Sequence, residues 1–154
     1  MTRELIGFLM VMIVVVIAVL VAIGYRKKRL SESSTIEPFP EATDCNGIEC
    51  LYVSTVFYDN PLRRLLAHGM GPRGKAAVAV GVDGISVCRQ GERGFQISKT
   101  SLIGIERSTA TIDRAVEPGG LTSIVWRHSG EQFVTNLRFQ SREEREVFEN
   151  EVMV

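Results

Sequence analysis

Residues 5–24 form an unbroken run of twenty residues without a charge, and Arg26, Lys27, Lys28 and Arg29 follow at once. As a helix at about 1.5 Å per residue the run extends about 30 Å, the thickness of a bilayer's hydrocarbon core. Fourteen of its residues are Leu, Ile, Val or Phe, and at roughly 0.3 to 0.6 kcal/mol each they favour insertion by about 4 to 8 kcal/mol. The expectation is one transmembrane helix over residues 5–25, a basic stop and flexible linker over 26–47, and a β domain over 48–154.

Charge sets the expected orientation, because short flanks rich in Lys and Arg stay on the cytoplasmic side. Arg3 alone opposes the cluster Arg26, Lys27, Lys28 and Arg29, which predicts a single-pass protein of the plasma membrane. Its amino terminus would lie outside and its C-terminal domain in the cytoplasm. A cleaved signal peptide fits less well. Its apolar region is normally about 7 to 15 residues, is preceded by the cations and ends in small residues, whereas Gly24-Tyr25-Arg26 offers no such site.

Lys plus Arg equal Asp plus Glu at 18 each, yet the chain without Arg3, Glu4 and the 26–29 cluster carries 13 basic and 17 acidic residues. A body with that excess of acid is a poor partner for nucleic acid, whose phosphates demand a basic footprint. Cations just beyond a spanning helix instead meet anionic headgroups at about 1 kcal/mol each. The cysteines are Cys45, Cys50 and Cys88. An odd count in a reducing compartment argues against a disulfide framework and predicts reduced thiols. Cys45 and Cys50 could pair if the topology were inverted, or supply two metal ligands, but no second ligand pair stands at useful spacing. With His68 and His128 isolated, no metal site and no cofactor are expected.

From Leu30 to about Asn46 the composition turns to Ser, Glu, Pro and Thr, with Pro38 and Pro40 around Phe39. Such a segment reads as a flexible tether that holds the domain on the order of 20 to 25 Å from the bilayer. Beyond it come seven strand signals, at 48–57, 76–82, 85–89, 95–97, 102–107, 121–128 and 132–139. Asp83-Gly84 is expected to form a type I′ hairpin turn, and Ser129-Gly130 a second turn. A hydrophilic passage through Asp113 and Pro118-Gly119-Gly120 precedes the sixth strand. Ser141 followed by Glu144 is a capping box that opens a helix over about 142–152, with Phe148 and Val152 on its apolar stripe.

Seven antiparallel strands closed by one amphipathic helix resemble the pleckstrin-homology (PH) superfold, a bent sandwich with a C-terminal capping helix. With the single N-terminal helix, the chain is similar to small actinobacterial membrane proteins that carry a bacterial PH-like domain. Asp59-Asn60-Pro61-Leu62, His68-Gly69, Asp83-Gly84, Arg89-Gln90-Gly91 and Gly119-Gly120-Leu121 ahead of Trp126 carry the comparison. That resemblance implies no catalytic residues.

Gly69 to Lys75 reads G-M-G-P-R-G-K, the first seven positions of a phosphate-binding P-loop. The eighth is Ala76, which lacks the hydroxyl that binds magnesium, and Pro72 removes an amide from the cradle. A glycine-rich strand connector is the expectation. Arg63, Arg64, Arg73 and Lys75 are the one basic concentration within the domain and the candidate contacts for lipid or a partner. Trp126 reads as core, His128 as a strand end meeting solvent, and the glutamates from 143 to 151 as the wet face of a helix. Ala18 and Ala22 have the small-xxx-small spacing that lets a second copy pack closely, so a homodimer is a further expectation.

The sequence therefore predicts a non-enzymatic interaction module on a membrane anchor that docks a protein partner. An anionic-lipid sensor is the alternative, and an accessory subunit of an enzyme or transport complex a minor one.

Overall fold

The structure is a computed structural model that describes residues 2–108 and 120–153. Helix α1 runs from Thr2 to Thr35, followed by β1 (Ile48–Phe57), β2 (Gly74–Gly81), β3 (Gly84–Arg89), β4 (Phe95–Ser98), β5 (Leu102–Ser108), β6 (Leu121–His128), β7 (Glu131–Phe139) and α2 (Arg142–Met153). All seven strands pair antiparallel in the order β4-β3-β2-β1-β7-β6-β5. The passage through Asp113 and Pro118-Gly119 lies outside the described residues.

A flat sheet would hold β4 and β6 about 24 Å apart, five spacings of about 4.8 Å. The rings of Phe95 on β4 and Trp126 on β6 instead stack with centroids 6.1 Å apart. The sheet is therefore bent back on itself, and β1 is where it turns. Ile48 to Tyr52 pair with β2, Cys50 to Phe57 pair with β7, and the register shifts between Tyr52 and Ser54. Such a bulge sharpens local twist and bends a strand. Its polar groups are met inside the core, where Tyr52 Oη donates to Thr55 Oγ1 at 2.8 Å and Trp126 Nε1 donates to Thr135 Oγ1 at 3.0 Å.

Turn chemistry follows the sequence in one hairpin and not in the other. Ser129 and Gly130 both take positive φ, +49° and +83°, which a two-residue type I′ turn requires. In the β2–β3 hairpin Gly81 pairs with Gly84, so the turn is centred on Val82-Asp83 and not on Asp83-Gly84. Neither central residue has positive φ, and the unusual conformation falls on Gly84 at +135°. A Cβ there would run into the Ile97 carbonyl of β4, so glycine serves the close approach of β3 to β4.

The segment expected as a flexible linker is ordered and packed. Helix α1 continues ten residues beyond residue 25 to Thr35 and stops three residues before Pro38, consistent with the bias of pre-proline residues away from helix. The chain then forms a strap over 36–46. Ile36 and Phe39 are each only 5% exposed and belong to the hydrophobic core. Phe39 sits at the open end of the bent sheet, against Phe95 of β4, Trp126 and His128 of β6, Phe133 of β7 and His68. Composition pointed to disorder because two apolar residues carry the packing and their partners come from distant parts of the chain.

Both histidines hold this strap. His68 Nε2 lies 2.8 Å from the Ile36 carbonyl and His128 Nε2 lies 3.1 Å from the Glu37 carbonyl; since a carbonyl only accepts, each ring donates from Nε2. The strap then passes the edge of β4, where Gln96 N–H donates to the Pro40 carbonyl at 2.8 Å. It crosses the outer face of β3, with Thr43 beside Ser86, and Cys45 forms a disulfide with Cys88. That bond corrects the expectation of reduced thiols without a shared task. Its partners are 43 residues apart, and only the fold brings them together.

The last element agrees with its capping and apolar signals, but Glu149, expected on the wet face, is 5% exposed and accepts from Thr122 Oγ1 at 3.2 Å. Glu144 N–H donates to Ser141 Oγ and Ser141 N–H to Glu144 Oε2, both at 3.1 Å, closing the capping box. Phe148 is fully buried, 5.2 Å from the Phe139 ring, and seats α2 on the sheet.

Candidate functional site

The connection between β1 and β2 packs on the end of α1. Glu32 is 6% exposed, and its Oε2 accepts the Leu66 N–H at 2.8 Å. Ser33 Oγ accepts the His68 N–H at 3.3 Å. A Cβ placed on Gly71 would come 2.7 Å from the Tyr25 hydroxyl, so glycine lets this connection lie against the residue that follows the apolar run. From Tyr25 to Glu32 the helix advances about 10 Å. The domain thus meets α1 within about two turns of that run, and no 20 to 25 Å tether separates them.

This junction divides the four basic candidates. Arg63 lies over the Phe57 ring, 3.9 Å from its centroid, and 3.8 Å from Glu32 Oε1. Arg64 is half-buried and donates to the Val53 carbonyl at 2.8 Å. Both are held by the domain's own groups. Arg73 and Lys75 are exposed at the start of β2, two and four residues beyond Gly71. Arg26, Lys27, Lys28 and Arg29 are exposed along α1. The glycine-rich Gly69 to Lys75 segment leads into β2, whereas a P-loop opens a helix.

A cation that the sequence reading passed over joins Lys75. Leu51 pairs with Lys75 of β2 on one side and Arg138 of β7 on the other. The three line up on the face opposite the buried Ala76, Cys50 and Phe139. They lie in a shallow trough of about 810 Å³ that also reaches Glu49, Gln90 and Gln140. Arg138 gave no signal because an exposed arginine between apolar positions is what any half-buried strand shows.

A second concavity, of about 520 Å³, lies between the β2–β3 turn, the start of β5 and the last turn of α2. Val80, Val82, Ile85, Leu102 and Val152 line it, with Lys99 and Glu151 at its sides. It is the more apolar of the two, and Val82 is 94% exposed beside it. Among the described residues β5 ends the strand order and pairs only with β6, so within them the groove lies at an unpaired strand edge. Among the described residues no group of His, Cys, Asp and Glu is placed to hold a metal ion.

Residues 32–153 match the family described as bacterial PH domain-like, beginning at the glutamate that joins α1 to the domain. The chain belongs to the bacterial PH domain-like family. No curated protein matches it. In this PH-like domain Cys50 is the remaining free thiol, 5% exposed. Burial, with Glu144 nearby as the smaller cause, pushes its pKa from 9.0 up to about 12. Below pH 9 the thiol is protonated in both folded and unfolded states. Between pH 9 and 12 the unfolded chain loses the proton and the folded one keeps it, so this group's contribution to stability falls as pH rises through that window. Iodoacetamide at pH 8 is therefore expected to leave Cys50 unmodified in the folded protein and to alkylate it after denaturation. Rapid labelling of the native protein, read by peptide mass, would refute this account of the thiol.

Proposed function

We propose that the protein is a membrane-anchored docking module. Helix α1, long and apolar enough to cross a membrane and exposed along its apolar run, is its single span. The Arg26 to Arg29 cluster favours the cytoplasmic face for the PH-like domain. The observation that carries the reading is the apolar groove beside the edge of β5, which no other described strand covers. An extended segment of a partner protein can add main-chain hydrogen bonds along such an edge and bury alternate side chains in the adjoining pocket.

The test is crosslinking and capture of the full chain from native membranes, comparing the parent with Val82→Asp and Val152→Asp. Val82 is 94% exposed and Val152 half-buried at the end of α2, so charge there changes the groove with little disturbance of the core. Loss of the same captured protein from both variants is expected, and its undiminished recovery from both would sink the groove as the docking site.

A second reading, of a domain that contacts anionic lipid, draws on one observation. Gly71 lies against Tyr25, which brings Arg73 and Lys75 to the side of the domain nearest the bilayer, where each exposed cation contributes about 1 kcal/mol. Arg63 and Arg64 drop out of that surface, and the excess of acid in the body opposes it. Disulfides are uncommon in the cytoplasm. The Cys45–Cys88 bond therefore weighs against the cytoplasmic placement unless the pair is exchanged there.

A further inference from the structure

We propose that the Cys45–Cys88 bond is a reducible clasp on the strap, so that its redox state decides whether the outer face of β3 and β4 is covered. The strap's two halves are held very differently. Residues 36–40 are fixed by buried Ile36 and Phe39, by His68 and His128 on two carbonyls, and by the Gln96 N–H on Pro40. Residues 41–46 bury no apolar side chain. Among the described residues they are tied by the surface ion pair Arg93–Glu41 at 2.6 Å, the 3.4 Å approach of Thr43 and Ser86, and the disulfide with its Cys88 Sγ contact to the Asp44 carbonyl. An exposed ion pair contributes about 0 to 1 kcal/mol. The covalent bond is then the principal restraint on this half.

What the second half covers is specific. Ser86 on β3 is only 3% exposed, although it points away from the core side chains Ile85 and Val87, and Thr43 lies over it. At Gly94 a Cβ would come 3.0 Å from the Ala42 Cβ. Cys88 borders both the trough beside Lys75 and a smaller cleft under Ala42 and Arg93. Release of 41–46 joins these two concavities along the face of β3, while the Phe39 plug stays seated.

The chemistry is an ordinary exchange. A dithiol reductant attacks the exposed Cys45 sulfur as its thiolate, the S–S bond breaks, and Cys88 leaves as a thiolate that takes up a proton. The second reductant thiol then attacks the mixed disulfide, Cys45 leaves as a thiol, and the reductant becomes a disulfide. Two electrons and two protons pass to the protein. Cys50 stays outside the cycle because it is buried and its thiol ionises far above physiological pH. The proposal rests on the cytoplasmic placement only for its source of reductant.

Amide hydrogen exchange of the full chain in nanodiscs, oxidised and after dithiothreitol, tests the clasp. Exchange over residues 41–47 should quicken about tenfold or more on reduction and slow again on reoxidation, with residues 121–139 unchanged. The double variant Cys45→Ser, Cys88→Ser should match the reduced protein. Equal exchange over 41–47 in both states would overturn the clasp, and so would loss of protection across 121–139, which would make the bond a staple of the whole fold. Acid trapping and alkylation in growing cells separates the compartment from the device. Reduced thiols at 45 and 88 support the cytoplasmic placement. A pair found wholly oxidised overturns that placement and with it the reductant the clasp requires, whatever the exchange data show.

Discussion

Phe39→Ala is expected to lower the unfolding free energy by about 3 to 5 kcal/mol, the usual cost of emptying a buried phenylalanine site. Domains of this kind have only about 5 to 15 kcal/mol in total. The loss is large because the ring packs against four other aromatic or histidine side chains from β4, β6 and β7. Denaturant unfolding of the full chain in detergent, followed by the fluorescence of buried Trp126, measures it. Phe39→Leu should recover most of the loss, since it restores apolar volume without the ring edges. A cost under about 1 kcal/mol for the alanine variant would mean that the strap lies on the domain and is no part of its core.

Phe148→Ala should cost a similar 3 to 5 kcal/mol, with a different consequence. Its ring is the fully buried anchor of α2, packed on Phe139. The Ser141 and Glu144 box still caps the first turn in the variant, so the helix loses its seat before it loses its start. Val152 and Glu151 form one wall of the apolar groove, and that wall should loosen with it. Lower stability in denaturant, together with faster amide exchange over residues 145–153 than over 121–139, is the expected pair of results. Unchanged exchange over α2 would show that other contacts hold it.

The β domain was legible because its information is local. Alternation over 121–128 and 132–139 marks one buried face, the Ser129-Gly130 pair makes its turn, and the Ser141 and Glu144 spacing starts a helix. Strand limits read from the sequence fall within two residues of the observed ones at most places for the same reason. What escaped depends on contacts between distant segments. Phe39 between two prolines resembles any polar linker until three strands and the β1–β2 connection supply its pocket. Cys45 and Cys88 carry no shared spacing signal. The apolar groove needs the β2–β3 turn, β5 and α2 at once, and Val82 alone reads as a hydrophobic residue in an exposed turn. Arg63 and Arg64 misled in the opposite sense. Their sequence neighbourhood is basic, but Phe57, Glu32 and the Val53 carbonyl occupy them.

Helix α1 runs without a break from its apolar stretch to Glu32, where the domain grips it. Each residue of an α-helix turns the chain by about 100° and lifts it by about 1.5 Å. The number of residues between Tyr25 and Glu32 therefore fixes the compass bearing of the domain around the helix axis, as well as its height. One residue more would leave the height almost unaltered and swing the groove by more than a quarter of a circle. If α1 spans a membrane, as proposed above, a neighbour in that membrane would find the groove facing elsewhere.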